Sequence, residues 1–257
     1  MRKTSMRLLI VVAITLSFQT SSWAQSARAL LESALQAHGR TRVADIAATG
    51  SVTKNGATEV LKVYSKGNGV GRLENGSGNN RNVLVFNQGK SWAGNDTLRP
   101  LKEHTAQRRL TLFPFLDLIS DLDSPHIQIT DRGVVPVNGR TAYKISIRTV
   151  DPNANQRFLR RPLEEAADFF IDTQSRLIVR SERLRPTEEN MDFLIPSVLE
   201  FSDYRNVNGV MAPFRIVNTV GRPDIGVYQS TTVFDSVTIN SGIPDSFFAP
   251  AETRSAR

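Results

Sequence analysis

From Ser26 onward the chain opens on a helical period and then turns to alternation. Leu30, Leu31, Ala34, Leu35 and His38 recur at 3.6-residue spacing behind Ser26, a residue suited to capping, and Gly39 stands where a helix commonly ends in glycine. One short amphipathic helix is predicted there. Apolar or alternating runs follow: Val43 to Thr53, Thr58 to Lys66, Val70 to Glu74, Asn82 to Phe86 and Ser91 to Ala93. They are separated by Lys54-Asn55-Gly56, Gly67-Asn68-Gly69 and Asn87-Gln88-Gly89-Lys90. An Asn-Gly pair between two such runs is a strong hairpin signal, because both residues accept the positive φ of a tight turn. The first half therefore reads as an antiparallel meander.

The alternation breaks between Leu101 and Leu122. Leu110, Leu112, Phe113, Phe115, Leu116, Leu118 and Ile119 make this stretch too long and too apolar for a surface strand. Pro114 removes a helical donor and restricts Phe113, so the pattern predicts two helical pieces meeting at Phe113-Pro114 and buried on several sides. Strands then return. Ile127 and Ile129, Val134 and Val135, the turn Val137-Asn138-Gly139-Arg140, and Tyr143, Ile145 and Ile147 alternating with Lys144, Ser146 and Arg148 form a half-buried hairpin. Phe169 to Ile171 pairs with Leu177 to Leu184. Val198 to Tyr204 pairs with Val210 to Val220 around Asn206-Val207-Asn208-Gly209, and Val227 to Ile239 is the last long strand. About eleven strands are more than a flat sheet usually carries without curling. The predicted class is mainly β with helices (α+β), a curved antiparallel half-barrel with an N-terminal helix and a central helical lid.

Charge changes this picture at the N-terminus. Arg2, Lys3 and Arg7 precede the apolar run Leu8 to Leu16, and Ser22-Trp23-Ala24 supplies small residues at the −3 and −1 positions of a cleavage site. Residues 1–24 are read as a cleaved secretory signal peptide, too short in its apolar run for a membrane span. Residues 25–250 form a single domain and 251–257 a flexible C-terminal tail. The net charge of +7 loses three positive charges with the signal and becomes +4. An exported chain with scattered basic residues is a poor match for nucleic acid. The absence of cysteine excludes disulfides, thiolate metal sites, a cysteine nucleophile and a lipid-anchoring cysteine.

Catalytic chemistry finds little support. His38, His104 and His126 lack metal-ligand spacing, and Ser51-Val52-Thr53-Lys54 places its Ser-x-x-Lys pattern on a strand end, where the chemistry needs a helix. Gly67, Gly69 and Gly71 miss the spacing of a dinucleotide loop, and the carboxylate pairs Glu164-Glu165 and Asp121 with Asp123 read as helix-start or solvated charges. No catalytic residue, cofactor or metal is expected.

Several phrases carry a resemblance: Leu31-Glu32-Ser33-Ala34-Leu35-Gln36-Ala37-His38-Gly39, Phe170-Ile171-Asp172 with its polar turn, Asp203-Tyr204-Arg205-Asn206-Val207-Asn208-Gly209-Val210 with Pro213-Phe214, and Ser246-Phe247-Phe248. With the order helix, meander, helical pair, meander, the chain resembles the periplasmic lipoprotein-carrier superfamily (LolA/LolB-like) over most of Gln25 to Pro250. The resemblance implies a soluble, periplasmic, monomeric carrier that holds a lipid or the acyl chains of a lipoprotein without catalysis. It implies a lid made of Leu112, Phe113, Phe115, Leu116 and Ile119. Strand phase then assigns Phe86, Trp92, Tyr143, Ile145, Phe201, Tyr204, Phe214 and Phe234 to the cavity. The family's lid-latching arginine stays open among Arg72, Arg81 and Arg148.

The segment Asp151 to Ala166 interleaves cationic and apolar side chains in Arg157-Phe158-Leu159-Arg160-Arg161. Arg157, Phe158, Arg160 and Arg161 are candidate contacts to an anionic head group or membrane surface. A sensor or protein-interaction module on the same fold is the alternative function.

Overall fold

The computed structural model describes residues 26–39, 43–67, 69–77, 80–87, 90–95, 97–101, 112–122, 126–149, 166–186, 194–222, 224 and 226–249. Helix α1 spans Ala27–Ala37. Ser26 Oγ accepts from the Ala29 amide at its N-terminus, and Gly39 closes it at φ +80°. The apolar stripe Leu30, Leu31, Ala34 and Leu35 is buried.

Among the described residues thirteen antiparallel strands follow: β1 Ile46–Lys54, β2 Ala57–Gly67, β3 Val70–Ser77, β4 Asn80–Asn87, β5 Lys90–Gly94, β6 Arg99–Pro100, β7 Ile127–Val137, β8 Arg140–Thr149, β9 Ala167–Asp172, β10 Ile178–Pro186, β11 Leu194–Val207, β12 Val210–Arg222 and β13 Gly226–Ile239. The expectation was about eleven strands; the two-residue β6 in particular carries no periodic signal. Three hairpins turn on Asn-Gly pairs with both residues at positive φ, at Asn55-Gly56, Asn138-Gly139 and Asn208-Gly209.

The strands form one curved, unclosed sheet in the order β6-β5-β4-β3-β2-β1-β13-β12-β11-β10-β9-β8-β7. Two meanders are thus joined where the first strand pairs with the last. Ile46 faces Ile239 and Ala48 faces Val237, and a bulge at Thr49/Gly50 brings the Gly50 backbone against β13. A Cβ at Gly50 would lie 2.0 Å from the Val233 carbonyl oxygen, so the bulge requires glycine.

This order puts β6 and β7 on opposite edges although they are consecutive in the chain. The connection between them must cross the sheet, and it carries helix α2, Pro114–Leu122. Proline at the first helical position loses a donor that has no partner there anyway. The expected second helical piece is therefore present; the first lies in 102–111, outside the described residues. Edge pairing is limited by Pro100 in the short β6, and by a register break at Asp131/Val134 and Pro136 in β7.

Helices α1 and α2 pack on the inward face and share one continuous apolar core with it. The outward face carries two smaller clusters. One is Val137, Ala142, Phe170 and Val179. The other is Val83, Val85 and Phe248, where the C-terminal 3-10 turn Asp245–Phe248 lies back over β3 and β4.

Candidate binding cradle on the inward face

Strand phase and register build the cradle. On β1 and β2 the inward positions are Ile46, Ala48 and Val52, then Leu61 and Val63; on β8 and β9 they are Ile145 and Ile147, then Phe169 and Ile171. On β11 and β12, Phe201 lies opposite Ile216, and Leu199 and Phe214 belong to the same core. Each is buried in the same core, as expected where alternation exposes one apolar face of a strand to the helices.

Helix α2 enters this face through aromatic side chains. Phe113 stacks on Phe234 with ring centroids 5.6 Å apart, and Phe115 stacks on His38 at 4.8 Å. Phe113, Phe115 and Leu116 are buried, Leu112 packs against the same core, and the Ile119 side chain lies outside the described residues. Burying such side chains contributes about 2 kcal/mol each. The Arg28 guanidinium also donates to the Leu122 carbonyl at 3.2 Å and ties the two helices together.

Of the eight strand residues assigned to the cavity, Ile145, Phe201, Phe214 and Phe234 lie within the core, and Tyr143 and Tyr204 pack against it. Phe86 is buried on β4 and faces Gly71 and Ser91 in the register. Trp92 does not join them. It pairs with Val85 and packs in the outward cluster with Phe247 and Phe248, because β5 is too short for its own pattern to show which face is inward. Arg157, Phe158, Arg160 and Arg161 lie outside the described residues.

None of the three arginines considered for a latch points into the cradle. Arg72 and Arg81 both hold Glu74 on the outward face, and Arg148 is exposed beside the inward Ile147. Strand phase turns another arginine, Arg183, inward. It follows the buried Ser181 by two positions, pairs with Ala167 and stands 5.9 Å from the Phe169 ring centroid. Sequence periodicity missed it because a register break between Ile178 and Arg180 resets the inward phase of β10.

His38, which the sequence places on the apolar stripe of α1 without metal-ligand spacing, proves fully buried. Its Nε2 accepts from the Ile178 amide at 3.1 Å, which leaves Nδ1 protonated to donate to the Met211 carbonyl at 2.9 Å. Burial lowers its pKa to about 4, although the Met211 hydrogen bond acts in the opposite direction. The imidazole is therefore a neutral strut linking α1 to β10 and β12. Beside it, the half-buried Tyr204 donates its hydroxyl to the Ile178 carbonyl, and desolvation of that hydroxyl raises its pKa well above the ordinary tyrosine range. The sequence signal for His38 was its position on the apolar stripe of α1.

Among the described residues no group of three His, Asp or Glu side chains could hold a metal ion, and no helix is long and apolar enough to cross a membrane. The chemistry of the inward face is that of apolar contact, with a few polar side chains set into it.

No family model matches the chain, and no curated protein matches it by sequence. Solved structures do match in shape. A DUF1329 family protein from Desulfovibrio piger aligns with 14% identity and a TM-score of 0.56, over 87% of this chain and 97% of that one. A putative outer membrane lipoprotein-sorting protein domain from Vibrio parahaemolyticus gives 13% identity and a TM-score of 0.57 over the same shares. A LolA superfamily protein from Nitrosomonas europaea gives 12% and 0.56, again over 87% and 97%. At these identities the likeness concerns shape, and together with the topology it establishes that the chain has a LolA-like fold.

Proposed function

We propose that this protein is an exported, non-catalytic carrier that holds the acyl chains of a lipid or lipoprotein between the sheet and α2. The observation that supports this most directly is the mode of α2 attachment. Phe113, Phe115 and Leu116 are lodged in the same apolar face as Phe201, Phe214 and Phe234. Hydrocarbon can replace phenyl rings there at little cost, since each methylene removed from water contributes about 0.8 kcal/mol. The topology supports the reading as well, because the β6-to-β7 connection necessarily spans the cradle. Export would follow cleavage after Ala24, and the absence of cysteine leaves the mature chain without the usual lipid-anchoring residue.

A fluorescent acyl probe tests this. Saturable binding is expected for the full mature chain. Phe113→Ala with Phe115→Ala, which empties the space the rings fill, should raise probe affinity by about tenfold or more while lowering stability by several kcal/mol. No saturable binding by either protein would contradict the reading.

The segment carrying Arg157, Phe158, Arg160 and Arg161 is proposed to touch an anionic membrane during loading or release. Changing the three arginines to Gln should then weaken cosedimentation with anionic liposomes by several-fold at low salt, each basic residue contributing about 1 kcal/mol at such a surface. Unchanged cosedimentation would contradict it.

A further inference from the structure

One charged side chain of the inward face lies where the apolar surface of the first meander begins. Counted from the Asn55-Gly56 turn, the inward positions of β2 run Ala57, Glu59, Leu61, Val63. Glu59 stands opposite the buried Val52 of β1, so its strand phase is that of the core. Exposure falls along this line: Ala57 is exposed, Glu59 is half-buried, and Leu61 and Val63 are buried. The two neighbouring strands repeat the gradient. On β3, Asn75 pairs with Leu61 and is followed inward by Leu73, which packs against the main core. On β4, the exposed Asn82 pairs with Asn75 and is followed by Leu84 and the buried Phe86. Glu59, Asn75 and Asn82 thus form a polar border to the hydrocarbon-compatible surface. A lipid whose chain lies on Leu61, Leu73 and Val63 would bring its head group to this border.

The border is anionic. The Glu59 carboxylate accepts from Asn75 Nδ2 at 2.7 Å, and this neutral donor fixes its direction without compensating its charge. Among the described residues Glu59 has no ion-pair partner: Lys54, the nearest cation on the inward phase of β1, is exposed and makes no ion pair with it. The inward Arg183 is on β10, five strands away in the sheet order. A carboxylate offers about four lone-pair sites, so beyond the one Asn75 uses the remaining capacity is for hydrogen-bond donors. A protonated primary amine satisfies both this capacity and the charge, and a charge-assisted hydrogen bond is stronger than a neutral one. A quaternary ammonium matches the charge but supplies no N–H.

We infer that the cradle takes acyl lipids whose head group ends in a primary ammonium, and that Glu59, oriented by Asn75, receives that ammonium at the border of the apolar surface. This rests on the carrier reading above and adds to it the chemistry of the head group.

Displacement of the fluorescent acyl probe from the full mature chain separates the two. Palmitoyl lysophosphatidylethanolamine is compared with palmitoyl lysophosphatidylcholine, each below its micelle concentration; the two share chain and phosphate and differ in the N–H donors of the amine. Glycerophosphoethanolamine supplies the same head group without a chain. The expected result is displacement by the ethanolamine lipid at roughly tenfold lower concentration than by the choline lipid, in line with a hydrogen bond to a charged group, and no displacement by the chainless head group at those concentrations. Glu59→Gln should bring the ratio of the two lipids close to one while the choline lipid still displaces the probe, which also reports an intact cradle. Asn75→Ala, which removes the orienting bond and keeps the carboxylate, should lower the ratio by a smaller factor. Equal potency of the two lipids on the unaltered protein, displacement by the chainless head group as strong as by the lipid, or an unchanged ratio in Glu59→Gln would overturn the inference and leave the carrier reading standing. Failure of the probe to bind the unaltered protein would overturn both.

Discussion

His38 shows how one residue joins elements distant in sequence. Its two ring nitrogens are occupied by backbone groups of β10 and β12, and its face by Phe115 of α2. The folded state keeps it neutral with a pKa of about 4, against 6.5 for an ordinary histidine. Between those values the unfolded chain binds the extra proton, so acid favours unfolding. Stability from this residue is fully present above pH 6.5, is lost as the pH falls toward 4, and levels off below that. The total is about 3 kcal/mol. Guanidinium denaturation at pH 7.5 and pH 4.5 should show most of that difference in the unaltered protein and much less in His38→Gln; equal differences in the two would contradict the assignment. The helical stripe made the position of His38 legible, but its partners come from residues 140 and 173 positions away. No local pattern carries that information. The same limit explains Trp92 and Arg183: one stands on a strand too short to reveal its face, the other beyond a bulge that resets it.

Among the elements, the hairpins were the most legible because Asn-Gly turns act through two adjacent residues. The C-terminal segment was the least. After β13 the chain turns back, and Asp45 holds it: the carboxylate accepts from the Ser241 amide at 2.7 Å, the Ser241 hydroxyl at 2.9 Å, the Gly242 amide at 3.0 Å and the Ile243 amide at 3.3 Å. Beyond this clamp, Lys66 pairs with Asp245, and the Arg72 guanidinium lies 4.6 Å from the Phe247 ring centroid. The phrase Ser246-Phe247-Phe248 could be recognised in the sequence, but its place on the outward face depends on a carboxylate 196 residues before the Ser241 it holds. Asp45→Ala should free the segment from residue 241 onward at a cost of about 3 kcal/mol, since hydrogen bonds to a charged group are among the stronger ones. Limited proteolysis read by mass spectrometry should then show earlier cleavage after β13. An unchanged cleavage pattern would contradict the clamp.

For the whole molecule, the decisive feature is strand order. Two meanders joined through β1 and β13 leave their consecutive ends at opposite edges, so the helical connection has to lie across the inward face. The alternating runs announced a curved antiparallel sheet and the apolar segment around Pro114 announced a buried helix. The β1–β13 pairing, on which the position of α2 depends, is a contact between residues far apart in the chain that periodicity cannot express. The inward core residues were legible where long strands kept a regular phase, as at Ile145, Phe201 and Phe234. The central claim is that this face exists to hold hydrocarbon. Native mass spectrometry of the mature protein purified from its own cell envelope, followed by lipid extraction, tests it most directly. A complex that carries an acyl-bearing species and releases it on extraction is the predicted result; a protein recovered only at its bare mass, and still bare after incubation with extracted envelope lipids, would contradict the account.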